Sequence, residues 1–426
     1  MEQPSFALIP SGFNTAKVYS VIPESGVGDF DFDRSQNTAT RINKDGLIES
    51  VNADIPRLNY EVTNGVVDSC PHLLLEMNST NNFTYSSDFT QSWIKFNNLT
   101  VSANQTTSPQ GMLNADKLIS ANATNEQYLQ NPTISTTSGD DVTISCFVKK
   151  LDYDYFHIRF TATGGVFTAA SVWYNIDNGT LGTVESGITA KIEDYGNGWY
   201  RCSATRTATG TGSGRVRLQL ASSDDTALVV GDGVKGTFIF GAQWEEESYA
   251  TSYIPTSGST QSRASESCTG AGDVNTFNSV EGILYAEMKR DITTDNGFRR
   301  VNINDGSADN TVRLGYSTVT NEIKGVVTIH PSTSVSLVFT GLSVTEFRKM
   351  ALLYKANRIE LWVDGSKRAE NTTTSVTFPV NTLNDLSFEQ SNGSDKLRAK
   401  VKDVRYYDTD GMSNTEITNL LTQLTQ

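Results

Sequence analysis

The sequence predicts an all-β protein: an extended N-terminal segment, then two β-sandwiches, then one short C-terminal helix. Three observations carry this. Short runs of β-like residues recur along the chain, separated by Gly, Asn and Asp turn signals. Charged residues make up 19% of the chain, below the ~25% of an average globular protein, and Thr, Ser and Asn supply the remaining polarity. A helical period appears once, at the C-terminal end.

Length and composition set the frame. At 426 residues the chain has room for about three domains of roughly 150 residues each. Residues 1–69 read as an extended, weakly cored segment. Asp29-Phe-Asp-Phe-Asp33 alternates acid and aromatic, which puts Phe30 and Phe32 on one face of a strand. Lys44-Asp-Gly46 and Thr63-Asn-Gly65 mark turns, and Pro10, Pro23 and Pro56 punctuate the rest.

Residues 70–263 carry a series of strands that predicts the first sandwich. Val142–Val148, Tyr155–Phe160, Ala170–Ile176, Val216–Leu220 and Gly236–Gly241 are its clearest members. Ala190–Ala204 reads as a hairpin with Gly196-Asn-Gly198 at its tip. Residues 257–279 are small, polar and Gly/Ser-rich, and read as the linker to a second sandwich over 264–426. There Arg358–Val363 runs into Asp364-Gly365, a type I′ hairpin signal, and Lys400–Tyr407 alternates. In the tail, Ser413 and Glu416 form a capping box. Ile417, Leu420, Leu421 and Leu424 follow at helical spacing and predict a stripe covering an open end of the second sandwich.

Charge and motifs exclude several functions. The formal net charge is −14, which repels nucleic-acid phosphates and anionic membrane surfaces. No apolar run is long enough to predict a membrane span, and the first residues lack the basic and apolar regions of a secretory signal. Cys70, Cys146, Cys202 and Cys268 form no CxxC pair. Cys146 and Cys202 both fall mid-strand, so a cross-sheet disulfide stands beside two buried thiols as the readings open there. His72, His157 and His330 are dispersed and make no catalytic or metal pattern. Gly210–Gly214 lacks the lysine of a phosphate loop. No carboxylate pattern suggests a glycosidase pair: Glu245–Glu247 reads as a solvated edge, and Glu360 and Asp364 as a strand position and a turn residue. Asp29, Asp31 and Asp33 fail as an EF-hand loop because Arg34 and Thr40 occupy its glycine and glutamate positions.

Aromatic side chains are the candidates for recognition, since sugars stack on Trp and Tyr. Trp173, Tyr174, Trp199 and Tyr200 are the carbohydrate-binding candidates. Adjacent strand residues face opposite ways, so one of each pair is expected in the core. Trp362 reads as core.

Taken in order, several segments resemble bacteriophage virion proteins with lectin-like modules. Ala7–Phe13, Phe30–Arg34, Ala39–Glu49 and Pro56-Arg-Leu58 are similar to the N-terminal region of phage fibre or spike proteins. Leu73–Glu76, Tyr85–Phe89, Gly196-Asn-Gly-Trp-Tyr-Arg201, Gly241–Glu245 and Thr251–Thr256 resemble a carbohydrate-binding-module-like sandwich. Arg358–Gly365, Lys402–Asp408 and the Ser413 helix start are similar to a laminin G-like domain. The resemblance spans nearly the whole chain and implies jelly-roll or concanavalin A-like sandwiches.

It also implies a virion location, with assembly in the bacterial host cytoplasm. The expected partners are other virion proteins, further copies in a homotrimer, and host-surface polysaccharide, with no nucleic acid and no membrane insertion. Residues 1–69 would attach to the particle. No cofactor is expected, although laminin G-like domains bind Ca2+ through loop acids and Asp305 and Asp309 are the candidates here, against an ordinary hairpin loop. Three functions follow from this: a tail-fibre, baseplate or head-fibre adhesin that binds glycan without enzymatic activity, a purely structural component, and a polysaccharide depolymerase.

Overall fold

The computed structural model describes residues 2–293, 295–330, 333–375 and 377–426. Its one helix is Asn414–Thr425, and strands make up the other regular elements among the described residues.

The first sandwich stacks two six-stranded antiparallel sheets. One runs Ile94–Phe96, Tyr128–Gln130, Val216–Ala221, Tyr155–Phe160, Ala170–Asn175, Thr180–Val184. The other runs Thr100–Thr107, Leu113–Ile119, Gly236–Glu245, Asp141–Lys149, Trp199–Thr207, Thr189–Asp194. Alternation sends Phe156, Ile158 and Phe160 inward from the first sheet to meet Val142, Ile144, Cys146 and Val148 from the second. Cys146 lies opposite Cys202 on the neighbouring strand of the same sheet, and both are buried free thiols.

The second sandwich packs an eight-stranded sheet on a five-stranded one. The larger sheet is ordered Ser366–Asn371, Ile359–Val363, Arg348–Tyr354, Gly282–Lys289, Ala399–Asp408, His72–Leu75, Leu58–Asn59, with Phe6–Leu8 also on Ala399–Asp408. The smaller is Thr333–Phe339, Ile323–Ile329, Thr311–Tyr316, Arg299–Asn304, Asp385–Ser387.

Residues 1–69 therefore do not stand apart from the sandwiches. Phe6, Leu8, Phe30 and Phe32 belong to the core of the second sandwich. Phe30 stacks on Phe388 at 4.7 Å and meets Phe6 edge-on at 6.0 Å. The strand Phe30–Asp33 has the predicted alternation, buried at both Phe and exposed at both Asp. Its partner surface comes from the same chain: Phe32 pairs with Cys268.

The boundaries read at 69/70 and 263/264 do not follow the sandwiches. His72–Leu75 belongs to the larger sheet of the second sandwich. The segment read as a linker carries the strands Gln261–Arg263 and Ser267–Thr269, with Arg263 and Glu266 buried. Pairing partners more than a hundred residues apart leave no local trace in composition, which explains the difference.

The local signals translate directly. Gly196, Asn197 and Gly198 all have positive φ, as a tight hairpin tip requires. Asp364 and Gly365 do too. Ser413 caps the helix, and both capping-box bonds are present. The helix stripe covers the outer face of the eight-stranded sheet rather than an open end: Ile417, Leu420, Leu421 and Leu424 pack on Ile283, Tyr285, Ala351, Leu353, Trp362 and Tyr407.

Candidate binding cleft

A cleft of about 420 Å³ opens where the two sandwiches and the N-terminal segment meet. One wall is the outer face of the second six-stranded sheet. Strand period puts Thr189, Lys191 and Glu193 on that face, opposite Thr205, Ser203 and Arg201 of the next strand. The other wall brings Arg41 and Ile42 from an N-terminal hairpin, Asp291 from a loop, and Lys400 from the eight-stranded sheet. The segment Ser248–Tyr253 completes it.

Aromatic rings give the cleft an apolar floor. Tyr195 meets Phe147 edge-on at 4.9 Å, and Tyr253 meets the same ring at 6.2 Å. Ser86 Oγ and Tyr253 Oη share a hydrogen bond of 2.6 Å. The Arg398 guanidinium lies over Tyr249 at 5.2 Å from its centroid.

The charges in the cleft are mostly paired. Lys400 Nζ lies 2.9 Å from Asp291 Oδ1 and 3.7 Å from Glu61 Oε1. Lys191 Nζ lies 2.6 Å from Glu193 Oε1, and Arg41 Nε donates to Glu49 at 2.6 Å. Burial alone would lower the Lys400 pKa, but Asp291 and Glu61 outweigh it and raise it above the ordinary lysine value. For Asp291, burial acts to raise the pKa and Lys400 overcomes it, so the carboxyl titrates below its ordinary range. Glu61 follows the same logic, with burial opposed by Lys400 and Lys289.

One end of the cleft borders a buried charge network. Glu266 Oε1 accepts from Arg57 Nε at 2.6 Å and from Arg34 Nη1 at 3.1 Å. Glu76 Oε2 accepts from Arg57 Nη1 at 2.7 Å and from Ser252 Oγ at 2.6 Å, and lies 3.3 Å from Arg263 Nη1. Arg34, Arg57 and Arg263 are 0% exposed. This seam ties the N-terminal segment, the strap through Arg263 and Glu266, and the first sandwich together.

The aromatic candidates sit elsewhere or are covered. Trp173 is buried, stacked on His157 at 4.3 Å, and its Nε1 donates to Thr226 O at 3.1 Å. Tyr174 is in the core and its hydroxyl donates to Ser203 O at 2.7 Å. Trp199 is buried on the outer face and donates through Nε1 to Thr107 O at 3.0 Å. Tyr200 is half-buried and packs against the first core. The structure thus places both members of the Trp173/Tyr174 pair out of solvent, because the segment carrying Thr226 covers the outer side of that sheet.

The loop acids do not converge either. Asp305 Oδ1 accepts from Ser307 N at 3.0 Å and Oδ2 from Asn310 Nδ2 at 2.7 Å. Asp309 Oδ2 lies 3.5 Å from His330 Nδ1. Among the described residues, no group of three or more His, Cys, Asp or Glu side chains could hold a metal ion.

Sequence reasoning passed over Arg201. It closes the Gly196–Arg201 motif and shares a face with Trp199, two residues before it. Strand period alone pointed to that face. What no local pattern shows is that the face looks into a cleft walled by residues from the far ends of the chain.

No family model matches the chain, and no curated protein matches it. The solved structures similar to this chain at low level include two of sandwich domains. Domain 4 of AbnA, a GH43 extracellular arabinanase from Geobacillus stearothermophilus solved with arabinotriose, is 8% identical, with 38% of this chain and 73% of that chain covered and a TM-score of 0.30. Domains LG4-5 of the mouse laminin alpha1 chain are 12% identical, with 65% and 84% covered and a TM-score of 0.22. Similarity at these scores carries nothing about ligand or activity.

Proposed function

We propose that the chain is a non-enzymatic adhesin of the phage-virion kind that holds a host-surface saccharide in the cleft between its sandwiches. The observation that carries this is the cleft itself. Its volume falls in the range of small-molecule sites, roughly 300–1,000 Å³. It joins the rings of Tyr195, Tyr249 and Tyr253 to a wall of charged and hydroxyl groups, the combination that stacks a sugar face and orients its hydroxyls.

The carboxylates favour binding over hydrolysis. A glycosidase needs one carboxyl kept protonated as general acid. Asp291 and Glu76 line the cleft, and cationic neighbours hold both below their ordinary range against the opposing effect of burial. The virion setting, contacts with other virion proteins and a homotrimeric state rest on the phage-like segments described above.

A glycan array probed with the full chain tests the reading, with Thr189→Trp as a plug, since Thr189 is an exposed residue of the cleft wall. Binding that the plug abolishes is the expected result. Binding that survives the plug, or none at all, overturns it. Reducing ends released from polysaccharide and lost in Asp291→Asn would overturn the non-enzymatic reading. Light scattering of the full chain reads the trimer directly.

A further inference from the structure

Eight arginines are buried among the described residues: 34, 57, 201, 263, 290, 299, 300 and 398. Seven have a carboxylate oxygen within 4.0 Å. Arg201 is the exception, and it is the one that lines the cleft. An unpaired buried charge is expensive, which is why buried guanidinium groups normally carry a partner.

Arg201 is also held in place. Its Nη2 donates to Thr251 O at 2.7 Å and to Ser145 Oγ at 3.1 Å, and its guanidinium lies over the Phe147 ring at 5.4 Å. Nε has no hydrogen-bond partner. Glu193 stands directly opposite on the neighbouring strand but turns to Lys191 instead. Glu245 is engaged by Ser79 Oγ at 2.7 Å and Thr251 N at 3.0 Å. Burial acts to lower the Arg201 pKa, and Tyr195, Glu193 and Glu245 outweigh it, so the guanidinium stays charged. A second donor in the cleft wall, the Tyr249 hydroxyl, is likewise buried without a partner.

From this we infer that the cleft selects acidic saccharides, with Arg201 as the anchor for an oxyanion on the sugar. A carboxylate or sulfate oxygen is acceptor-only, the complement of two donors that lack acceptors. The other cleft cations are neutralised by their own carboxylates, so Arg201 supplies the charge that no carboxylate touches. The inference rests on the cleft being the saccharide site and names the class of sugar.

The test is calorimetric titration of the full chain with a galacturonic acid trimer, its methyl ester and a sulfated galactose oligosaccharide. The acid trimer or the sulfated sugar binds at least about tenfold more tightly than the ester, and the preferred one of the two identifies the oxyanion. Arg201→Gln removes that preference, and Arg201→Lys restores part of it. The ester comparison on the unaltered chain decides the matter even where a variant folds poorly. Equal binding of acid and ester, binding of neither acidic probe, or a preference that survives in a folded Arg201→Gln chain overturns the inference. Neutral sugars blocked by the Thr189→Trp plug would leave the saccharide reading standing while this one falls.

Discussion

Two neighbouring regions of the molecule treat buried charge in opposite ways. In the seam, Arg34, Arg57 and Arg263 share Glu76 and Glu266 through several charge-assisted hydrogen bonds. In the cleft beside it, Arg201 is 4% exposed and has backbone, hydroxyl and ring contacts but no carboxylate within reach. The seam is closed and holds three parts of the chain in one arrangement. The cleft leaves one charge open. Guanidinium groups each matched to a carboxylate are what a structural joint needs, and a local departure from that rule marks a place kept for something else.

The largest expected effect is on the seam side. Deleting residues 1–69 removes Phe6, Leu8, Phe30 and Phe32 from the second core and Arg34 and Arg57 from the seam, so the truncated chain should not fold. A soluble truncated chain with a cooperative thermal transition would show that the N-terminal segment is an appendage.

Next, Glu266→Ala strands the buried Arg34 and leaves Arg57 with Glu76 alone, and should cost about 3–5 kcal/mol in urea unfolding. A loss under about 1 kcal/mol would mean the seam's charges are not truly desolvated.

Acid sharpens the contrast within the molecule. Burial acts to raise the Glu76 pKa, but Arg263 and Arg57 overcome it and hold the pKa below its unfolded value. Its contribution is therefore present above the unfolded carboxylate range, near ~4.3, and is lost as pH falls below it. Between about pH 7 and 5 the seam should hold. His157 behaves differently. Burial, aided by Arg159 and Arg217, pushes its pKa down to about 3. The unfolded state takes up its proton first, so stability falls as pH drops below about 6.5, by up to about 2 kcal/mol at pH 5. His157→Gln should shrink the wild-type loss across that range by a similar amount, as read from paired urea melts. An unchanged loss would assign the acid sensitivity to other groups.

Much of the fold is legible in neighbouring residues. The alternation at Asp29–Asp33, the turns at Gly196–Gly198 and Asp364-Gly365, and the Ser413/Glu416 cap are all short-range chemistry, which consecutive positions spell out. The docking of the N-terminal segment is not, because the Arg34–Glu266 pair spans 232 positions and Phe30 finds Phe388 only in three dimensions. The site is half legible. The Gly196–Arg201 motif and its strand period mark the right strand, while the aromatic emphasis draws attention to Trp199 and Tyr200. The cleft's value lies in what Arg201 lacks, and a missing carboxylate cannot be seen until Arg41, Ala250, Asp291 and Lys400 are assembled around it.

The smallest effect on stability belongs to Arg201, and it gives the most direct test. Replacing an unpaired buried guanidinium with an apolar chain of similar length should be close to neutral, within about 1 kcal/mol, or stabilising. The decisive measurement is the urea midpoint of wild type and Arg201→Met, each with and without the galacturonic acid trimer or the sulfated oligosaccharide, whichever the titration prefers. A ligand that binds only the folded state raises the midpoint by mass action. We expect Arg201→Met to unfold at or above the wild-type midpoint without ligand, and to lose the ligand-induced rise that wild type shows. A variant that unfolds several kcal/mol more readily and yet keeps the full ligand-induced rise would make Arg201 one more structural arginine, and the contrast between seam and cleft would be gone.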